Sequence, residues 1–498
     1  MINILVNNAP ALVVVLPLIV AAIIAFIPSS SLTWFISLVT LVIHLSLSIK
    51  LLAIISSTGT LIYEFGNWSP PWGISFKLDG VNIGLQLLFS SFALISTIYS
   101  RKIFLSEIHP DDSGKAYSLW LLAIGSLNGI ILTNDIFNLF VFLEISALSS
   151  ISLIALGAGT NRKALLAAFN YLVIGAIGAT FYVIGVGFAY SMTGTLNMND
   201  LIIQLEQYSQ GQLAIFAGMS FMLIGLMVKA AIFPLHLWLP PAYSYAPSAV
   251  STLFAALATK AILYFFVRLL YEVFLIYENY FSIFLDFVLL PLSILAVVIG
   301  TLIAIYQSDI KKLLAYSSIA QIGYITLAFS INDNSGLLSG FIHIFNHALI
   351  KGGLFMAVGY FAILLNDRVT LSSIEGLGTK YPITSFALLI CGLSLIGLPL
   401  TNGFISKLYL FQALYANEMF LTIGFVALSS ALAVIYFWKI IEKLFFGSLK
   451  FKSLPEDPAI YIPIWLITLS VIFFGFNSSL IVDLSNMASS SLIPGAIN

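Results

Sequence analysis

Residues 225–260 read GLMVKAAIFPLHLWLPPAYSYAPSAVSTLFAALATK. The stretch is apolar enough to be buried, yet it holds Lys229, Lys260 and His236 together with Pro234, Pro240, Pro241 and Pro247. A lone ammonium at the centre of a bilayer costs roughly 2.5 to 3.5 kcal/mol on insertion scales, so intramembrane lysines face a protein interior or a water-filled cavity. Proline removes a backbone donor and clashes with the turn before it. A helix broken at membrane depth is tolerated only where neighbouring helices or water satisfy the freed backbone groups. Lysines beside helix breaks therefore point to an ion path.

The rest of the chain has the same character. Of its 498 residues 60% are hydrophobic and only 8% charged, with a mean hydropathy of +1.06. Soluble domains carry about 25% charged residues, so the sequence is that of an integral membrane protein. The net charge of -1 and the absence of any basic block give no sign of nucleic-acid binding. Cys391 is the single cysteine, so neither an internal disulfide nor a metal-thiolate or iron-sulfur spacing can be built. No flavin, nucleotide or P-loop signature occurs, so no cofactor is expected. The opening MINILVNNAPALVVVLPLIVAAIIAFIP lacks a basic n-region and a small-residue cleavage site, and reads as a retained first helix.

Counting runs of about 20 mostly apolar residues gives about 14 spans, an all-α polytopic membrane protein with no soluble domain. Basic residues gather in alternate loops: Arg101, Lys102 and Lys115; Arg162 and Lys163; Lys311 and Lys312; Arg368 and Lys380; Lys443, Lys450 and Lys452. The opposite loops hold little beyond Lys77, with Lys50 and Arg268 near helix ends. The positive-inside rule makes the basic loops cytoplasmic and places both termini outside. The seventh span breaks around Ile232-Phe-Pro-Leu and the twelfth across residues 396–403. These breaks lie five spans apart, and five is odd. Units of helices 4–8 and 9–13 would then enter the membrane from opposite faces, as two inverted five-helix repeats. The expected divisions are a three-helix segment over 1–114, a first repeat over 115–276, a second over 277–447 and a last helix within 448–498.

Glu144, in the fifth span, is the one acid with apolar residues for two turns on either side. A buried carboxylate far from any cation is driven toward its neutral form, whereas one beside an ammonium stays charged. Lys229 is the expected partner. Pairing would hold the lysine protonated, and withdrawing the carboxylate would release a proton; a static structural pair is the alternative. His343, His347 and Lys351 follow at i, i+4 and i+8 in the eleventh span, on one helix face with about 6 Å of rise between neighbours. Histidine can take a proton on one nitrogen and give one from the other, which suits a relay. A zinc site, or a polar seam between helices, are the rival readings of the two histidines. Lys260, about 11 residues into the eighth span, is too deep to snorkel comfortably. Lys407 follows the twelfth-span break, where snorkelling is a fairer rival. His236 is a relay member or a donor to an unwound carbonyl, and the sequence leaves that open.

The runs KAAIFPLHLWLPPAYSYAPSAVS, SDIKKLLAYSSIAQIGYI, HIFNHALIKGGLFMAVG and GLPLTNGFISKLYL resemble the antiporter-like membrane subunits of respiratory complex I and of Mrp-type multisubunit Na+/H+ antiporters. The likeness covers about residues 115–445, and the early GNWSPPWGISFKLDG looks most like the Mrp D subunits. It implies fourteen helices, the inverted repeats, a central hydrophilic axis and membrane partners in a hetero-oligomer of a prokaryotic plasma membrane. It casts Glu144 as the acid of the fifth helix, Lys229 as the broken-helix lysine and Lys260 as the bridging lysine. His343 and His347 match the eleventh-helix histidines, Lys351 lies one turn on, and Lys407 is the terminal charge of the twelfth helix. The function implied is proton translocation coupled to a monovalent cation, Na+ above all. The rival is a proton-pumping subunit of a redox complex, and a third reading is a scaffold that has lost transport.

Overall fold

The computed structural model describes residues 8–159, 161–208, 213–366, 368–447 and 455–492; Lys450 and Lys452 of the basic loops lie outside them. The crossing helices run α1 (Ala9–Ile24), α2 (Ser30–Thr58), α3 (Ile83–Glu107), α4 (Ser113–Leu132), α5 (Ile136–Ala155) and α6 (Lys163–Thr193). After a short helix, Met198–Glu206, come α7a (Leu213–Lys229) and α7b (Leu239–Tyr245). Next are α8 (Ser248–Ile276), α9 (Glu278–Ile305), α10 (Ile310–Ser330) and α11 (Asn334–Leu365). The chain closes with α12a (Pro382–Ile396), α12b (Asn402–Ala416), α13 (Phe420–Phe446), α14 (Pro458–Phe476) and a final helix, Ser479–Leu492. Among the described residues, 11 helices are long and apolar enough to cross a membrane. The shorter apolar helices α1, α7a and α12a stand where the remaining expected spans fall.

Acidic residues start several of these helices. Asp135 accepts from the amides of Phe137 and Asn138 at 2.9 and 2.7 Å, Asp309 from Lys312 at 2.9 Å, Asp333 from Gly336 at 2.6 Å and Asp457 from Ala459 at 2.9 Å. Each side-chain oxygen satisfies an amide that the first turn leaves orphaned.

Both expected breaks are present. α7 stops at Lys229 and resumes at Leu239. Ala231, at φ +56°, takes the left-handed conformation that ends the first segment, an arrangement that strains any residue with a Cβ. α12a ends on Gly397 at φ +96°, where glycine meets no such penalty.

Two features differ from a simple stack of helices. Leu61–Glu64 (β1) and Ser75–Leu78 (β2) pair antiparallel, Leu61 opposite Leu78 and Glu64 opposite Ser75. This hairpin has too few residues, and a loop too rich in proline, to show a strand pattern in the sequence. α8 is also irregular, with π turns at Phe254–Ala258 and Leu269–Val273. No glycine or proline marks either π turn.

Helices sort by what surrounds them. The most apolar windows of α8 and α10 are 94% buried within the protein, against 33% for α2, α13 and α14. Large apolar side chains such as Phe35, Phe169, Phe287 and Trp438 cover the outside, as a lipid-facing surface requires. The shielded helices α8, α10 and α11 are the ones that carry polar interiors.

A buried line of lysines and histidines as the candidate functional site

α6 and α7a approach closely through glycines: a Cβ on Gly225 would fall 2.6 Å from the Gly178 carbonyl oxygen, and one on Gly185 2.5 Å from that of Gly218. Small residues at a helix contact let backbones meet in this way. Lys229, at the end of α7a, is thereby held inside the protein, 3% exposed. Its Nζ donates to Glu144 Oε1 of α5 at 2.8 Å. The pair is asymmetric, because the Glu144 side chain is 33% exposed and the Lys229 side chain only 2%. Glu144 is therefore not deeply buried as the sequence suggested; its helix faces outward on that side. Trp238 braces the break by stacking on Tyr171 at 4.2 Å and donating to the Val228 carbonyl at 2.9 Å. His236 packs against Phe233 at 5.2 Å, and its Nδ1 meets no protein partner among the described residues.

Lys260 follows the first π turn of α8. It is 1% exposed, and its Nζ donates to the Ala255 carbonyl within that turn. It does not snorkel. From here the polar groups lead into α10 and α11, with Lys260 within electrostatic reach of His343, His347 and Lys351. Lys351 Nζ donates to the Leu314 carbonyl at 2.9 Å and to Ser317 Oγ at 2.5 Å. His343 uses both ring nitrogens, Nδ1 with Ser406 Oγ and Nε2 with Gln321 Oε1, each at 2.9 Å. Neither is left for a metal ion. His347 stacks on His343 with centroids 6.0 Å apart, and both its nitrogens lack a protein partner among the described residues.

Lys407 ends the line. Its Nζ donates to the Ile396 carbonyl at 2.7 Å and to Ser430 Oγ at 3.0 Å, and lies 5.1 Å from the centre of the Tyr324 ring. The break creates this site, since Ile396 is the last residue of α12a. A Cβ on Gly397 would lie 2.8 Å from Lys407 Cδ. Glycine thus clears the lysine's route to that carbonyl.

The structure adds groups the sequence reading did not single out. Tyr171 lies beside Glu144 and Ser150, and Tyr243 lies beside Tyr171 and Thr259, one residue from Lys260. The Tyr243 hydroxyl donates to the Phe254 carbonyl at 3.0 Å, at the start of the π turn that precedes Lys260. Apart from the line, Arg268 is fully buried, pairing with Asp79 at 3.3 Å and Glu272 at 3.1 Å and donating to the Tyr264 hydroxyl at 2.5 Å. Lys77 joins both acids at 3.5 and 3.3 Å. Arg268 is thus a buried clamp on the hairpin and not a helix-end charge. Single arginines near helix ends look alike in sequence; only the fold brings Asp79 to this one.

Broken membrane helices whose interiors carry charge define a class, the membrane ion translocators. Within that class the chain belongs to the family described as NADH:quinone oxidoreductase/Mrp antiporter, whose transmembrane region matches residues 133–433. It is 38% identical over 398 residues, 80% of this chain and 77% of the relative, to NADH-quinone oxidoreductase subunit N of Desulforudis audaxviator. It is 31% identical over 450 residues, 89% and 88% of the two chains, to the D subunit of the Na(+)/H(+) antiporter of Alkalihalophilus pseudofirmus. Among solved structures, a chain of the membrane-bound sulfane sulfur reductase, an archaeal respiratory membrane complex, superposes with a TM-score of 0.90 at 31% identity, covering 97% of this chain and 98% of that one.

Proposed function

We propose that this chain is the proton-translocating subunit of a multisubunit monovalent cation/proton antiporter. The observation that carries the reading is the 2.8 Å Lys229–Glu144 pair at a helix break, set at one end of a run of buried amines and imidazoles. Beyond that pair, Lys260, Lys351 and Lys407 bond carbonyl and hydroxyl oxygens. An ammonium held only by such dipoles gives up its proton more readily than one held by a carboxylate. Protons then pass from Lys229 by Tyr171 and Tyr243 to Lys260, on to Lys351, His347 and His343, and out toward Lys407. His236 stands at the first break as an accessory member. Making and breaking the Glu144 contact sets whether Lys229 keeps its proton. Residues 115–276 and 277–447 act as the inverted halves, the basic loops are cytoplasmic, and Na+ is the cation exchanged for external protons in a prokaryotic plasma membrane. The similarity to antiporter D subunits supports this assembly.

The test is exchange in vesicles bearing the whole complex. Lys229→Ala and Glu144→Ala are each expected to abolish cation-dependent proton movement while the complex assembles normally. Wild-type exchange in both would sink the relay.

A second reading has its own support in the 38% identical relative named as a NADH-quinone oxidoreductase subunit and in the superposed respiratory complex. There the same line would be driven by electron transfer. The complex purified in mild detergent separates the two: peripheral partners with flavin or iron-sulfur absorbance favour the redox assembly, and colourless small membrane partners favour the antiporter.

A further inference from the structure

A polar cavity of about 160 Å³ opens where the end of α3, the α7b–α8 junction, the start of α10 and the end of α11 meet, with Glu107, Ser244, Ala246, Asp309, Lys311 and Arg368 in its wall. Most of its polar groups are engaged. Glu107 accepts from the Ser248 amide at 2.5 Å and hydroxyl at 2.6 Å, fixing the start of α8. Arg368 pairs with Asp309 at 3.4 Å and lies over the Tyr245 ring at 4.4 Å. Lys311 donates to the Ala246 carbonyl at 3.3 Å, a long bond for so strong a donor.

What sets Lys311 apart is its place on α10. One turn further in, the Leu314 carbonyl and then Ser317 hold Lys351. Gln321 follows with His343, and Tyr324 with Lys407. Positions 311, 314, 317, 321 and 324 recur every three or four residues, which is one face of a helix. That face joins the cavity to the buried line, with a rise of about 5 Å from Lys311 to Leu314 and about 9 Å to Ser317.

We propose that the cavity is the mouth through which protons on the basic-loop face reach the second half of the line, with Lys311 as its carrier. A hydronium ion in the cavity gives its proton to the Lys311 amine in its unprotonated form and is left as water. The proton then passes through water to the neutral Lys351 amine, returning Lys311 to its neutral form. The proposal rests on the relay reading, since a mouth matters only if Lys351 carries protons.

The rival is a purely structural Lys311 that anchors the α7b–α8 junction through Ala246. Lys311→Gln keeps a donor for that carbonyl but cannot carry a proton, and Lys311→Arg keeps donor and charge but does not release one. Measured in vesicles with the assembled complex, exchange is expected to fall at least about tenfold in both. Lys311→His restores part of the rate and moves the optimum to lower pH, against the fixed background of Glu107, Asp309, Arg368 and Tyr245 around it. Wild-type rates in the glutamine and arginine variants overturn the mouth. Parallel Lys229→Ala and Lys351→Ala variants show which idea failed. If they are inactive while the Lys311 variants work, the mouth alone is wrong; if they too are active, the relay falls and the mouth with it.

Discussion

His343 and His347 sit one helical turn apart with nearly parallel rings, yet their surroundings differ. His343 is tied on both sides, to Ser406 and Gln321, and serves the helix packing whether or not it carries protons. His347 is fully buried and has no protein partner on either nitrogen among the described residues. A ring tied on both nitrogens holds its neighbours in place, whereas one that meets no protein partner keeps both nitrogens open to take and give a proton. The prediction separates them. His347→Phe, close in shape, should leave the melting temperature of the purified complex unchanged or higher while exchange is lost; His343→Phe strands Gln321 and should lower it. Transport at the wild-type rate in His347→Phe, or a fall in melting temperature like that of His343→Phe, would remove His347 from the relay. At this scale the sequence revealed the charges, because lysine and histidine in apolar spans are expensive and so conspicuous. It did not reveal Tyr171, Tyr243, Ser317, Gln321 or Ser430, since uncharged polar residues recur throughout the apolar spans and only the fold shows which of them are paired with the buried charges.

The breaks in α7 and α12 were legible because proline and glycine announce them, and the lysines beside them followed. The packing that makes the first break useful was not. Glycines on α6 and α7a set the spacing that brings Lys229 to Glu144, and the contact is backbone on backbone: a Cβ on Gly225 meets the Gly178 carbonyl and the Tyr182 amide, both at 2.6 Å. Neither atom can rotate away. Gly225→Val is expected to force α6 and α7a apart, to destabilise the protein by about 1–3 kcal/mol, and to slow exchange by loosening the Lys229 pair. Gly187, also on α6, has open space around it, so Gly187→Val is the control and should leave melting temperature and exchange unchanged. Equal behaviour of the two variants would mean that helix spacing does not position the lysine. The π turn before Lys260 stayed hidden for a related reason: Phe254–Ala258 is an ordinary apolar helical sequence, and only its neighbours decide where the extra residue goes.

For the whole molecule, the order of the apolar helices could be read from hydropathy, 11 of them long enough to cross a membrane among the described residues, and the alternation of basic loops gives an expected direction across it. What could not be read is that Arg268, Asp79, Glu272 and Lys77 lock the N-terminal hairpin to α8, because residues so far apart in sequence share no local pattern. Direction decides what the line does, since a mouth on the basic-loop face takes up protons from the cytoplasm only if those loops are cytoplasmic. The chain is well suited to a test. Its one cysteine, Cys391, is buried, so it gives little background with a membrane-impermeant thiol reagent. Trp72, in the hairpin loop, is 88% exposed, and Lys163 begins α6 on the surface. Three crossings, α3, α4 and α5, lie between them, so the two must face opposite sides. Trp72→Cys should react in intact cells and Lys163→Cys only in inverted vesicles. Reaction of both from one side would mean that one of α3 to α5 does not cross. The reverse pattern would place the basic loops, and with them the Lys311 cavity, outside, and the line would then draw its protons from the opposite compartment.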